Sequence, residues 1–329
     1  MSRRSRLSRI LVNTTLVFGS LILSVFLTDF ALRLIGTRYT RVAFERRTNT
    51  RVLSRNMVTT LFKPDLRISY RAKSSGKELF HVEYTTDSFG RRVTPLSPGR
   101  RSKSLLIFGC SMAFGQTVND SQTIPFYLGE LLKDFEPYNY AVGGGGIQNL
   151  YTVLSRTDLR REVTQAEGLA VYLYYPYHMD RLQDHFSNLQ NYYNSYRIQD
   201  GHLERIPLTL FSRLFTLSHE SPLFERAASF FFPMLPPDEE DYRLAAMLFK
   251  ESMNLYERDF DKGRFVVVIV GQDERLSRRL DALKVPHLSV EELDPSFTYD
   301  PDDHHYTAEG NSKMAVQIVR ALRAWGPRL

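Results

Sequence analysis

The sequence contains a single cysteine, Cys110, among its 329 residues. One cysteine excludes an intrachain disulfide, which is compatible with a reducing compartment and equally with an envelope protein that uses none. The usual signals of nucleotide binding are also missing, because the chain has neither a G-x-G-x-x-G motif nor a Walker lysine. No stretch interleaves basic and aromatic residues as a base-stacking surface does, so we expect no nucleic-acid partner.

Acidic residues are scarce in the first 60 positions, where eleven arginines are opposed only by Asp29 and Glu45. The net charge of +6 therefore comes from the N-terminal region, and the rest of the chain is slightly acidic. A basic stretch beside an apolar helix favours contact with an anionic membrane surface over contact with nucleic acid.

An uncharged run of nineteen residues at 10–28 follows a cluster of four arginines. At about 1.5 Å per residue the run nearly spans a bilayer core, and residues 30–35 extend it. We predict an uncleaved membrane anchor at 1–36; a signal peptide is the alternative, although no small-residue cleavage site follows. The arginine cluster predicts a single-pass topology with a cytoplasmic N-terminus and the rest of the chain outside, in the periplasm or extracellular space.

Beyond the anchor, residues 37–79 are polar and basic without clear periodicity, which predicts a juxtamembrane connector. In residues 80–329, apolar segments that predict strands alternate with amphipathic segments that predict helices. This rhythm is typical of an α/β fold with a parallel, doubly wound sheet between two helical layers. Residues 176–240 break the rhythm with many aromatics and prolines, and we predict an insertion there.

Ser111 stands at the end of the first of these strands, two positions after Gly109 closes the apolar run Leu105–Phe108. Ligands of open α/β sheets bind beyond the carboxyl ends of the strands, so Ser111 is well placed to act as a nucleophile. One alternative is a loop serine that caps the next helix. The thiol of Cys110 is a second candidate nucleophile.

Carboxylates and histidines cluster at 299–311, shortly before the last predicted helix. Asp302 and Asp303 precede His305 by three and two positions, and an imidazole oriented by a carboxylate activates a serine hydroxyl. A metal site is an alternative, but adjacent histidines lack the helical spacing of a common zinc motif, so we predict no metal. A solvated acidic turn is the plainest alternative.

Four consecutive glycines, Gly143–Gly146, follow the second predicted strand, at 138–142. Glycines let the backbone approach a ligand and point its N–H groups at it, as in an oxyanion hole. A phosphate cradle and a simple turn are the other interpretations of such a run.

These segments, in this order, resemble the SGNH/GDSL hydrolase superfamily over roughly residues 80–325. Gly109-Cys110-Ser111 is similar to the nucleophile block of that family, Gly143-Gly144 to its glycine block, and the pair Asp302 and His305 to its Asp-x-x-His. The segment 87–91 also resembles a lead-in of membrane-anchored members. The resemblance implies a three-layer α/β/α sandwich with a mostly parallel, flavodoxin-like sheet and no cofactor.

For the chemistry, the resemblance implies that Ser111 attacks an ester and His305 acts as general base and then acid. Asp302 or Asp303 would orient the imidazole, because some relatives use Asp-x-His. Backbone N–H groups of Ser111 and Gly144 would hold the oxyanion.

The chain departs from the family in two blocks. Cys110 replaces the Asp of the nucleophile block, and the third block lacks its Asn, since the matching stretch is Tyr175–Arg181. His178 falls near the Asn position and is predicted as a third oxyanion donor, with a structural histidine as the alternative. Losing one such donor typically costs about 10²–10³ in turnover, so a slow relative is an open alternative.

The resemblance and the predicted anchor together imply a membrane-anchored serine esterase, acyl hydrolase or acyltransferase. The expected substrate carries ester groups, O-acetyl above all, on an envelope glycan or lipid. The alternative from another class is a weak or inactive protein of the same fold with a binding or assembly role in the envelope.

Overall fold

The chain divides into two units in the computed structural model. One unit comprises residues 1–41, 185–189 and 209–234, and the other comprises residues 42–184, 190–208 and 235–329. The structure describes residues 42–47, 62–74, 77–96, 101–182, 195–206, 236–299 and 304–326, together with Ser20, 23–25, 27–28 and Ala31.

The second unit contains all ten described strands and seven described α-helices. In chain order the strands are β1 (Val42–Arg47), β2 (Arg67–Ser74), β3 (Lys77–Thr85), β4 (Lys103–Phe108), β5 (Phe135–Asn139), β6 (Glu167–Tyr174), β7 (Tyr196–Gln199), β8 (His202–Arg205), β9 (Lys262–Val270) and β10 (His287–Val290). The helices are α1 (Ser111–Phe114), α2 (Ile124–Leu131), α3 (Ile147–Arg156), α4 (Leu159–Glu162), α5 (Glu239–Asp259), α6 (Glu274–Ala282) and α7 (Ala308–Trp325).

Five parallel strands form the central sheet in the order β10-β9-β6-β4-β5. Counted by their appearance in the chain, this is the 2-1-3-4-5 order of a flavodoxin-like sheet, with its topological switch point between β4 and β6. The predicted α/β fold with a mostly parallel sheet is confirmed. Its inner strands read as continuous apolar runs because helices cover both faces.

Alternating side chains of each strand point into two separate cores. In β9, Val267 and Ile269 pack with α3, α5 and α6 on one face, whereas Val266, Val268 and Val270 pack with α2 and α7 on the other. Each face therefore has its own apolar layer, as the period of two along a strand requires. The arrangement is a three-layer sandwich.

The second strand of the sheet lies earlier than predicted. The sequence indicated 138–142, but β5 spans Phe135–Asn139 and includes Pro137. A proline is tolerated here because β5 is an edge strand, which needs ladder hydrogen bonds on one side only.

A three-stranded antiparallel sheet, β1-β2-β3, precedes the central sheet. Two of its strands fall within 37–79, where the sequence showed no clear periodicity; the juxtamembrane connector at 37–79 stays a prediction. The missed signal is the alternation of Ile68, Tyr70 and Ala72, all of which are buried against the α2/α7 side of the sandwich. The residues between them, Ser69 and Arg71, are polar, as the period of two in a half-buried strand requires.

The predicted insertion at 176–240 includes the hairpin β7–β8, whose Tyr196 joins the core beside α3 and α5. The rest of that segment, 183–194 and 207–235, lies outside the described residues.

The predicted anchor at 1–36 also lies outside the described residues, apart from seven helical, exposed positions between Ser20 and Ala31. Within the ranges that the structure describes, no helix has the length and apolar character needed to cross a bilayer.

Candidate active site

The carboxyl ends of β4, β5 and β6 meet at Gly109. Its φ of 149° is open to glycine, and a Cβ added there would lie 3.1 Å from the carbonyl oxygen of Leu173 at the end of β6. On the other side, the carbonyl oxygen of Gly109 accepts a hydrogen bond of 3.2 Å from the N–H of Val142. The turn after β4 thus contacts the loops after both neighbouring strands, at the switch point of the sheet.

Ser111 is the first residue of α1, directly after the extended Cys110. The carbonyl oxygen of Ser111 accepts hydrogen bonds from the N–H groups of Gly115 (2.9 Å) and Gln116 (3.1 Å), which close this short helix. Its side chain does not cap the next helix, since Thr123 accepts the N–H of Phe126 there. Ser111 is buried, with 8% of its surface exposed.

The thiol of Cys110 is enclosed by the protein. Cys110 has no exposed surface, and its Sγ lies 3.2 Å from the hydroxyl oxygen of Tyr177. A thiol enclosed in this manner does not reach a substrate, so the geometry favours Ser111 over Cys110 as the nucleophile.

The glycine run folds directly onto the nucleophile turn. A Cβ added to Gly145 would lie 2.8 Å from the carbonyl oxygen of Gly109, so only glycine fits this approach. Gly144 adopts a φ of 71°, and it is half-buried beside the exposed Gly143. The glycine run therefore lies against the turn that carries Ser111. The role of Gly144 stays a prediction.

The loop between β10 and α7, which carries His305, is held against the segment that follows Ser111. The hydroxyl of Thr117 donates a 3.1 Å hydrogen bond to the carbonyl oxygen of Tyr306, the residue after His305. Asn311 makes a second link from α7, since its side-chain amide donates to the carbonyl oxygen of Gln122 at 3.0 Å. His305 itself is half-buried.

The same two segments also meet through side chains. Burial raises the pKa of the Tyr306 hydroxyl to about 12, and the nearby thiol of Cys110 is one of the groups that add to this rise. The residues adjoining Ser111 and His305 are thus neighbours in space, although about 190 positions separate them in the chain. Asp302 and Asp303, the two predicted orienting carboxylates, lie outside the described residues.

His178 is fully buried in a cluster of aromatic rings. Its Nδ1 lies 3.0 Å from the hydroxyl of Tyr172, and the ring makes edge contacts with Tyr172, Tyr174 and Tyr177. Burial, together with the positive charge of Arg181, lowers the pKa of His178 well below the usual histidine range. These are the surroundings expected of a structural histidine. Its part in an oxyanion hole stays a prediction.

Two residues of the loop after β6 were missed by the sequence analysis. Tyr177 is 38% exposed, and the guanidinium of Arg181 lies 4.8 Å from the centre of its ring. Arg181 also donates to the carbonyl oxygen of Gly145, and its own carbonyl oxygen accepts from Gln148 at 2.7 Å. Arg181 thereby ties this loop to the glycine run, and an aromatic so close to the expected Asn position was the available signal.

Among the described residues, no group of three or more His, Cys, Asp or Glu side chains is arranged to hold a metal ion. Asp302 and Asp303 lie outside that set.

No protein-family model matches this chain, and no curated protein sequence matches it. Among solved structures it is similar to an acetyl xylan esterase from the rumen bacterium Butyrivibrio proteoclasticus, at 10% identity and a TM-score of 0.42 over 80% of this chain and 70% of that one. It is similar to a family two carbohydrate esterase from Cellvibrio japonicus, at 10% identity and a TM-score of 0.42 over 86% and 98% of the two chains.

A protein described as a lipolytic member of the G-D-S-L family, from Desulfitobacterium hafniense, is also similar. Its identity to this chain is 11% and its TM-score 0.34, over 67% of this chain and 99% of that one. The structural neighbours thus include carbohydrate esterases and a G-D-S-L-family protein. At this level of similarity none of the three assigns an activity to this chain.

The buried, neutral His178 predicts a loss of stability in acid. Below about pH 6.5 the unfolded chain takes up a proton on this residue, whereas the folded protein, with its lowered pKa, does not. Between roughly pH 7.5 and roughly pH 5.5, wild-type protein should lose about 1.4 kcal/mol more unfolding free energy than His178→Gln. Urea unfolding at the two pH values measures this. The matched control is His202→Gln, at the exposed first position of β8, and an equal pH response of wild type and His178→Gln would contradict the prediction.

Proposed function

We propose that this chain is a serine ester hydrolase of the SGNH type, with Ser111 as nucleophile and His305 as general base. The observation that carries the proposal is the hydrogen bond between Thr117 and the carbonyl oxygen of Tyr306, which joins the nucleophile segment to the histidine loop at 3.1 Å. The approach of the glycine run to Gly109 supports it from the other side.

In the proposed reaction, Oγ of Ser111 attacks the ester carbonyl while the imidazole of His305 takes the hydroxyl proton. Backbone N–H groups of Ser111 and Gly144 stabilise the negative oxygen of the tetrahedral intermediate. The C–O bond to the alcohol then breaks, and His305 returns the proton to the leaving oxygen. Water, or a second hydroxyl in a transferase, attacks the acyl-serine by the same route in reverse. Asp302 or Asp303 orients the imidazole.

For the substrate we propose acetyl esters of an envelope glycan, with a lipid ester as the second candidate and acyl transfer as the alternative to hydrolysis. This choice is supported by the basic, apolar N-terminal region, which would hold the enzyme at a membrane. The proposed topology is single-pass, with the N-terminus in the cytoplasm and the esterase domain outside.

A binding or assembly role without catalysis is the second candidate function. It is favoured by one specific observation, the complete burial of His178 in the block where the family has its Asn. With that donor absent, turnover would fall by about 10²–10³.

Replacing the nucleophile tests the enzymatic proposal. Ser111→Ala should lose labelling by a fluorophosphonate probe and lower the rate on an acetyl ester by at least about 10³-fold. Ser155→Ala, at an exposed position of α3, is the matched control and should behave as wild type. Equal hydrolysis by wild type and Ser111→Ala would contradict the proposal.

Replacing each of two adjacent histidines in turn tests which of them is the catalytic base. His305→Gln should lower kcat by at least about 10³-fold because no group remains to accept the proton of Ser111. His304 is exposed, so His304→Gln should stay within about twofold of wild type. Steady-state kinetics on a soluble acetyl ester give both kcat values. A larger loss of kcat in His304→Gln than in His305→Gln would contradict the assignment of His305 as the base.

The topology is tested by fusing a reporter enzyme to the C-terminus of the full chain. An alkaline phosphatase fusion, which needs an oxidising compartment, should be active, and a reporter that works only in the cytoplasm should be silent. Activity of the cytoplasmic reporter would contradict the proposed orientation.

A further inference from the structure

A buried arginine, Arg92, donates hydrogen bonds to the segment that follows Ser111. Arg92, which lies just after β3, is 2% exposed, and its guanidinium bonds four partners. It donates to the carbonyl oxygens of Phe114 (3.0 Å), Gly115 and Val118 (2.6 Å), and to the carboxylate of Asp120 (3.0 Å). All four acceptors lie between three and nine positions after Ser111.

Three of these acceptors are carbonyl groups of α1 and its exit turn. Two of them have a further partner, since Gly115 accepts the N–H of Val118 at 3.3 Å and Phe114 accepts the side-chain amide of Asn139 at 3.4 Å. The last carbonyls of any helix lack intrahelical partners, and α1 has only four residues. Gly115 ends it in the left-handed conformation, with a φ of 80°. Arg92 therefore fixes the end of the helix whose first residue is Ser111.

The guanidinium is itself held in place from several sides. Its carbon lies 4.7 Å from the ring centre of Tyr84 and 5.0 Å from that of Phe114. Asp120 accepts hydrogen bonds from the N–H (3.0 Å) and the hydroxyl (2.8 Å) of Thr85, so both members of the ion pair are tied to β3. Burial lowers the pKa of Arg92 and Asp120 opposes this, and arginine stays protonated in proteins.

We propose that Arg92 is a positioning residue for the nucleophile. By connecting the β1-β2-β3 sheet to the turn that bears Ser111, Arg92 holds that turn in a fixed position. This inference rests on the proposed function. It implies that the β1-β2-β3 sheet, besides covering one face of the sandwich, supports the position of Ser111 through Arg92.

The chain offers a matched control in the adjacent arginine. Arg91 is also buried, at 6% exposure, and bonds Asp87 at 2.7 Å and the hydroxyl of Tyr140 at 3.0 Å. It also lies 3.8 Å from the carboxylate of Glu162. None of these partners belongs to the turn after β4. Replacing Arg91 therefore disrupts a comparable network of buried hydrogen bonds but leaves the contacts of the nucleophile segment intact.

The experiment compares Arg92→Lys with Arg91→Lys in the full chain. Lysine keeps the charge but lacks the planar fork, so it cannot serve several fixed carbonyls at once. Two quantities are measured: the rate of fluorophosphonate labelling of Ser111, and hydrogen exchange of the peptide that spans 109–118. Arg92→Lys should slow labelling by about tenfold or more, since small misplacements of a reacting group are costly. It should also speed hydrogen exchange in that peptide. The kcat of the variant should fall while its KM changes little.

Arg91→Lys should label within about twofold of wild type, with faster exchange confined to peptides around Tyr140 and Glu162. Unchanged labelling and exchange in Arg92→Lys would overturn the inference, and so would an equal loss in both variants. If wild type is not labelled at all, the proposed function fails; the exchange data then decide the inference, and unchanged exchange in 109–118 overturns it.

Should circular dichroism show that Arg92→Lys is unfolded, Asp120→Asn takes its place. That variant removes the partner charge of Arg92 and keeps the shape of the side chain. Slower labelling and faster exchange in 109–118 support the inference, and wild-type values for both overturn it.

Discussion

The candidate site depends on how closely three backbone segments approach one another at Gly109. A side chain there would collide with the end of β6, and a side chain at Gly145 would collide with the carbonyl oxygen of Gly109. Parallel strands end at the same edge of a sheet, so the 2-1-3-4-5 order brings these loops together at the switch point. Close contact then requires glycine on both sides. The nucleophile turn and the glycine run are thus two halves of one packing arrangement.

A second constraint is the burial of two consecutive arginines, Arg91 and Arg92, which follow β3 in the chain. Each is satisfied by a carboxylate and by further oxygen acceptors. Removing one partner of a buried ion pair is strongly destabilising because the other charge is left without compensation. The antiparallel sheet is therefore fastened to the α/β sandwich by directional bonds as well as by apolar contact, which fixes its orientation to the turn.

Prediction from sequence succeeded where a local pattern has a single structural solution. The apolar runs of β4, β6 and β9 form strands, as predicted. It failed at β2, where the apolar alternation of Ile68, Tyr70 and Ala72 lies between basic residues. It also failed to single out Tyr177 and Arg181, since neither residue type signals a site until a fold places it beside a glycine loop. The orienting carboxylate stays a prediction.

The sequence by itself determined the class of fold and the candidate residues, because strand periodicity, glycine punctuation and the order of polar motifs are local properties of the chain. Only the tertiary structure decided which of these residues become neighbours. The bond from Thr117 to Tyr306 spans 189 positions, and so does the bond from Asn311 to Gln122. Contacts between residues so far apart follow from the packing of layers, which no local pattern encodes.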